Sequence, residues 1–136
     1  MISGDLAGRP VAVREADRPT WHAAAVVTSN AIAALVAGAE QILADIGIER
    51  PDLVLGPLAI GTSINAYEGG GGGPTLTGPV VRGETKTIEA HLEALKALAP
   101  SRIETYKRAS ELVLQAAVEN GRITDATART MAEILR

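Results

Sequence analysis

RPTWHAAAVVTSNAIAALVAGAEQILAD, residues Arg18 to Asp45, is the stretch that decides the fold class. Alanine is the strongest helix former, and it dominates here. Asp17 stands at the N-cap position, Pro19 is tolerated in a first turn, and Gly47 supplies the stop, so the spacing predicts one long helix over Arg18–Asp45. From Pro19 to Ala39 there is no Asp, Glu, Lys or Arg, a run long enough for the roughly 20 residues of a bilayer span. His22, Thr28, Ser29 and Asn30 interrupt it, however, and alanine is only weakly hydrophobic. The sequence therefore reads as a helix buried in a helical protein, with neighbours on most sides.

The remaining segments agree with that class. Pro51 and Asp52 open a second helix that reaches the glycine run at Gly69, with a kink or break expected near Pro57. Glu84 to Ala99 forms a third, carrying Ile88, Leu92 and Leu95 on one face and ending at Pro100. Ser101-Arg102-Ile103-Glu104 has the spacing of a capping box before a fourth helix that runs to Asn120, with Gly121 as a left-handed C-cap. Thr124 caps a fifth. Ahead of them, Ile2 to Arg14 is glycine-punctuated and ends in PVAV, which reads as a loop and a brief extended piece. The expected fold is all-α with about five helices. Residues 1–17 read as a remnant or linker from something upstream, and 18–136 as the helical domain.

Composition narrows the function. The 136 residues suffice for one core. They include no Phe, one Trp (Trp21) and two Tyr (Tyr67 and Tyr106), so Ala, Leu, Val and Ile must fill the interior. Net charge is −3 with both signs interspersed, which argues against nucleic acid as a partner. Cysteine is absent, which removes disulfides, thiol catalysis and thiolate metal sites. MISGDLAGRP lacks the basic and apolar regions of a signal peptide. A cytoplasmic location and no membrane partner are expected.

Two polar groups interrupt this apolar chain. The first is LTGPVVRGETKT, Leu76 to Thr87, directly behind EGGGGGP. A phosphate loop, a substrate-binding corner and a plain interhelical turn are the possible readings. A phosphate loop needs a strand before its glycines and a Gly-Lys-Ser/Thr after them, and neither is here. The glycine run itself reads as a flexible connector. Thr77-Gly78-Pro79 makes a tight turn, and Arg82-Gly83-Glu84 delivers the chain to a helix start, where free N–H groups and a guanidinium could seat a carboxylate or phosphate. Alternatively, Arg82 pairs with a nearby carboxylate. The second group is His22, Ser29 and Asn30. His22 and Ser29 lie within ~20° of each other around a helix, with Asn30 on the adjoining flank. They could bind substrate, with His22 as a proton donor, or form structural hydrogen bonds between helices. His91 shares a face with Ile88 and Leu95 and reads as a core or interface histidine. The two His show no metal-ligand spacing.

Trp21-His22-Ala23-Ala24-Ala25, Thr28-Ser29-Asn30, Leu76-Thr77-Gly78-Pro79, Arg82-Gly83-Glu84-Thr85-Lys86-Thr87 and His91-Leu92 together resemble the proteins that join a Rossmann-like domain to a domain of unknown function, 2520. The family pattern is aromatic-His-Ala-Ala-Ala, Ser-Asn, Leu-Thr-Gly-Pro, Arg-Gly-Asp, a Thr and His-Leu, and the likeness extends from Gly4 over nearly the whole chain. The resemblance implies a helical domain similar to the C-terminal domains of 6-phosphogluconate dehydrogenase, pyrroline-5-carboxylate reductase and ketopantoate reductase. Such domains dimerise and close an active site over a nicotinamide. It further implies reduction of a small 2-oxo acid or related carbonyl compound, ketopantoate being one candidate. On that basis His22 and Asn30 are candidate catalytic residues, and Ser29, Thr77, Arg82 and Gly83 candidate substrate-binding residues.

Departures from the pattern qualify this. No βαβ unit or dinucleotide fingerprint occurs, so the chain alone is expected to bind no cofactor and to transfer no hydride; NADP or NAD belongs to the full-length relative. Glu84 replaces the usual Asp, and the glycine run is expanded. A homodimer, a separate Rossmann-like domain and a small-molecule substrate are the expected partners. The competing reading is a stand-alone, non-enzymatic dimerisation or small-ligand-binding module.

Overall fold

A computed structural model describes residues 11–136. Most of the expected Ile2–Arg14 extended piece lies outside them; Val11 to Arg14 is free of helix, and Arg14 has extended backbone. A 3₁₀ turn, Glu15–Asp17, leads into α1, Arg18–Asp45. The Asp17 carboxylate is engaged by Arg14. α2 is Pro51–Glu68, and single helical turns follow as α3, Gly72–Thr75, and α4, Pro79–Arg82. The long C-terminal elements are α5, Thr85–Leu98, α6, Ile103–Glu119, and α7, Asp125–Leu135. Among the described residues there is no strand. The fold is all-α.

Two compact units divide between Ala34 and Leu35, within α1 rather than at a linker. The core lies in the second. Ile88, Leu114, Met131 and Leu135 come together from α5, α6 and α7, and Val80 of α4 joins them. Leu92, Val113, Ile123 and Ala128 pack around the cluster. Each fully buried Ile, Leu or Met contributes about 1.5–3 kcal/mol of transfer free energy.

Four expectations change. α1 has no buried residue, so the long apolar helix is not enclosed as its composition suggested. By length and composition alone it could cross a membrane. α2 runs unbroken through Pro57. Proline at that position removes one hydrogen bond to the carbonyl of Leu53, and Leu53 is exposed, so water can take that carbonyl. The Ser101–Glu104 capping box does not form. Pro100 starts a 3₁₀ turn with Arg102 N–H on the Ala99 carbonyl, which delays α6 to Ile103. Arg102 instead reaches Asp45 (2.9 Å) and Gln41 (3.2 Å), tethering the start of α6 to the end of α1 within the second unit. Finally, the glycine run is packed at its two ends, while Gly70 and Gly72 between them have open space. A Cβ on Gly73 would collide with the Asn120 side-chain amide, and one on Gly69 with Thr75.

The C-terminal signals hold. Gly121 is left-handed (φ +63°), with Arg122 N–H on the Ala117 carbonyl at 2.8 Å, and the Thr124 hydroxyl accepts from Thr127 N–H.

Candidate functional site

The corner after the glycines is a rigid construction. Gly78 precedes the α4 turn, and Gly83 ends it in the left-handed region (φ +70°). The Gly83 N–H bonds to the Val80 carbonyl at 3.2 Å, and the Glu84 N–H reaches back to Pro79 at 2.9 Å, closing the turn. Glycine is required at 83 twice over. A Cβ there would be strained and would lie 2.6 Å from the Thr127 methyl of α7. From the other side, Arg122 donates to the carbonyls of Pro74 (2.9 Å) and Leu76 (3.2 Å), fixing the approach to the corner.

Arg82 has a partner within this corner. Its Nε donates to Glu84 Oε1 at 2.6 Å and its second nitrogen to Oε2 at 3.3 Å. The pair is solvent-exposed. Hydrogen bonding from Arg82 holds the Glu84 carboxyl below its ordinary range, with a smaller contribution from Thr87, and the carboxylate raises the guanidinium in return. The first donors of α5 are also partly taken: Thr85 N–H meets the Gly83 carbonyl and Thr87 N–H the Glu84 carbonyl. An incoming anion at this position would have to displace Glu84.

On α1, the Ser29 hydroxyl donates to the Ala25 carbonyl at 2.8 Å and lies 3.2 Å from Asn30 Oδ1. Thr28 returns to Ala24 in the same way. These helix-internal bonds satisfy the hydroxyls without a second helix. His22 is exposed and lines a hollow of about 440 Å³ with Val11, Val13, Arg18 and Trp21. Among the described residues, no group of three His, Cys, Asp or Glu could hold a metal ion.

Of the two places expected for His91, core or interface, the structure excludes the core. The residue is exposed, and its Nδ1 lies 2.9 Å from the Tyr106 hydroxyl, with the two rings edge to face at 5.7 Å. Helix periodicity placed it near Ile88 and Leu95, but it stands at the rim of that face. Tyr106 is partly buried. Burial pushes its phenol above the usual value, against a smaller downward pull from the Ser110 hydroxyl.

A family model described as Domain of unknown function (DUF2520) matches residues 1–113. The chain belongs to this family. No curated protein and no solved structure matches it. The DUF2520 match ends within α6, so Leu114, Met131 and Leu135, which complete the core, lie beyond it.

In this DUF2520 chain Thr77, Arg82 and Gly83 share one corner of the second unit, while His22, Ser29 and Asn30 share α1 in the first. Three residues with a part in these places escaped the sequence reading. Arg18 shares the His22 hollow, Arg122 anchors the corner, and Tyr106 partners His91. Arg18 could have been found as the only cation one helical turn from His22. The other two depend on contacts across 15 and 48 residues, which no local spacing reveals.

Proposed function

We propose that this chain is the helical substrate-binding and dimerisation domain of an NAD(P)-dependent reductase acting on a small 2-oxo acid or related carbonyl compound, for which ketopantoate is a candidate. One observation carries the reading: the segment with the family's Leu-Thr-Gly-Pro and Arg-Gly pattern forms a fixed corner, tied by Arg122 and closed against Thr127, with Arg82 exposed on it. A loop held this firmly can present a guanidinium in one place, which is what bidentate recognition of a carboxylate requires.

In this reading Arg82 exchanges the Glu84 carboxylate for that of the substrate. Thr77 and Gly83 shape the turn beside it. On α1, Ser29 holds Asn30, and His22 and Asn30 are separately available to polarise a carbonyl. The residues do not fit a nicotinamide dinucleotide. Among those described there is no strand, and the glycines follow a helix end rather than opening a strand-to-helix turn. The cofactor and the hydride step are therefore assigned to a Rossmann-like domain acting with this one.

Dimerisation is part of the same proposal. Leu53, Pro57, Ile60, Ile64 and Tyr67 follow a four–three spacing along α2, which aligns them in one stripe. All are exposed, Tyr67 at 89% and Leu58 beside them at 66%, and no charge interrupts α2 between Asp52 and Glu68. A second copy of this neutral helix meets the stripe without like-charge repulsion.

The test is amide NMR of the chain titrated with ketopantoate, and separately with NADPH. Ketopantoate is expected to shift Thr77, Arg82 and Gly83 saturably and to lose most of this effect in Arg82→Ala, while NADPH binds without saturation. A corner that ignores ketopantoate removes the substrate role. A dimer found together with that silence favours the non-enzymatic module, a reading that the existing Arg82–Glu84 pair already supports.

A further inference from the structure

Behind the corner is a hollow that shares only Thr77 with the proposed substrate roles. It measures about 290 Å³ and lies in the second unit between the α4 turn, α5 and α6. Pro79, Val80, Ala109 and Val113 give it apolar walls. Its polar groups are the hydroxyls of Thr77, Tyr106 and Ser110 and the His91 ring; no Asp, Glu, Lys or Arg lines it. Ser110 is 7% exposed, the one buried polar residue among those described. Its hydroxyl is held by the Tyr106 phenol, and no buried side-chain polar atom among the described residues lacks a partner.

The geometry points to a binding site for a small, uncharged aliphatic molecule or moiety that carries one carbonyl or hydroxyl oxygen. Apolar walls with a few convergent polar groups are the usual composition of a small-molecule site. The volume is at the low end of that range, which limits the occupant to a short chain. With no Asp, Glu, Lys or Arg in the lining, an ion placed against these walls would find no charged partner, which favours an uncharged occupant.

Tyr106 is the orienting residue. Its phenol is protonated at neutral pH, as an ordinary tyrosine is, and burial pushes it further toward that form. Its oxygen is fixed by His91 Nδ1 at 2.9 Å. When the imidazole carries its proton on Nδ1, it donates to Tyr106, and the phenol hydrogen is free to point into the hollow at a ligand oxygen. His91 and Tyr106 also line a second hollow of about 240 Å³, with Ile42, Ala94 and Leu95. The pair therefore borders both hollows.

The site shares Thr77 with the reductase reading, and its test is told apart by probes without a carboxylate and by Ala109 and Val113, which that reading does not use. The full chain, labelled for amide and methyl NMR, is titrated with 3-methyl-2-butanone and, in parallel, with isopentane. The ketone is expected to shift Thr77, Gly78, Val80, Ala109 and Val113 saturably. Val113→Trp, which fills the hollow, is expected to abolish those shifts, and Ala109→Leu gives a second occluding variant if the first misfolds. Tyr106→Phe is expected to weaken the ketone by about threefold to tenfold, the range for one lost hydrogen bond, while leaving isopentane unchanged. Non-saturating shifts, equal ketone binding in both occluded variants, or equal losses for both probes in Tyr106→Phe would overturn the proposal.

Discussion

The first two long helices and the last three follow opposite patterns. On α5, α6 and α7 apolar residues recur every three or four positions between charged ones, as in Ile88, Leu92 and Leu95, or Met131 and Leu135. Each of these helices has one face to bury and finds its partners in the same unit. α1 and α2 are apolar around much of their circumference, yet neither has a buried residue. An amphipathic helix can be satisfied by two neighbours, whereas an all-round apolar one needs several. Strong hydrophobicity thus marks the helices with the least intramolecular cover, and moderate, periodic hydrophobicity marks the core.

The largest effect should separate these regions by stability. Ile88 is fully buried, and Ile88→Ala is expected to cost about 2–5 kcal/mol in chemical denaturation. Ile60→Ala on the exposed α2, measured at low protein concentration, should cost no more than about 0.5 kcal/mol. Equal losses would erase the contrast. Next comes association. The double variant Ile60→Glu, Ile64→Glu is expected to weaken the proposed dimer at least a hundredfold in sedimentation, while the circular dichroism of the helices is kept. An unaltered sedimentation profile would remove the α2 stripe as the interface.

Two glycines sharpen the comparison at a smaller scale. Gly83→Ala forces a side chain into the left-handed region and toward Thr127, and should cost about 1–2 kcal/mol. Gly61, helical and with open space around it, should respond in the opposite sense, with Gly61→Ala stabilising by about 0.4–1 kcal/mol.

The smallest effect is electrostatic. The folded Glu84 carboxyl titrates below its unfolded value because Arg82 donates to it. Its contribution is therefore present above the ordinary carboxylate range, near pH 4.3, and is lost as pH falls through the depressed folded value. Carboxyl NMR should record that depression and its relief in Arg82→Ala. Because the pair is exposed, raising the salt concentration should shrink the shift.

Much of the fold was legible because local rules produced it. Gly121 and Thr124 punctuate the α6–α7 turn through backbone geometry that only a few residue types supply. The capping box failed for an equally local reason, since Pro100 offered the backbone a tighter 3₁₀ turn first. The candidate site was less legible. Arg82 could be located at a helix start, but its pairing with Glu84 depended on the turn at Gly83, and two readings of Arg82 remained open until the corner was built. His91 fell within the apolar arc by periodicity, although its contact with Tyr106 depends on how α5 meets α6.

By itself the sequence determined an all-helical chain, the extents of its long helices and its DUF2520 membership, because helix propensity, caps and spaced motifs act over a few residues or are read directly as pattern. Tertiary structure decided which apolar faces became core, which glycines were packed rather than free, and which ions and rings were joined. Those outcomes depend on pairing between residues far apart in the chain, whose energies arise only when the helices have met.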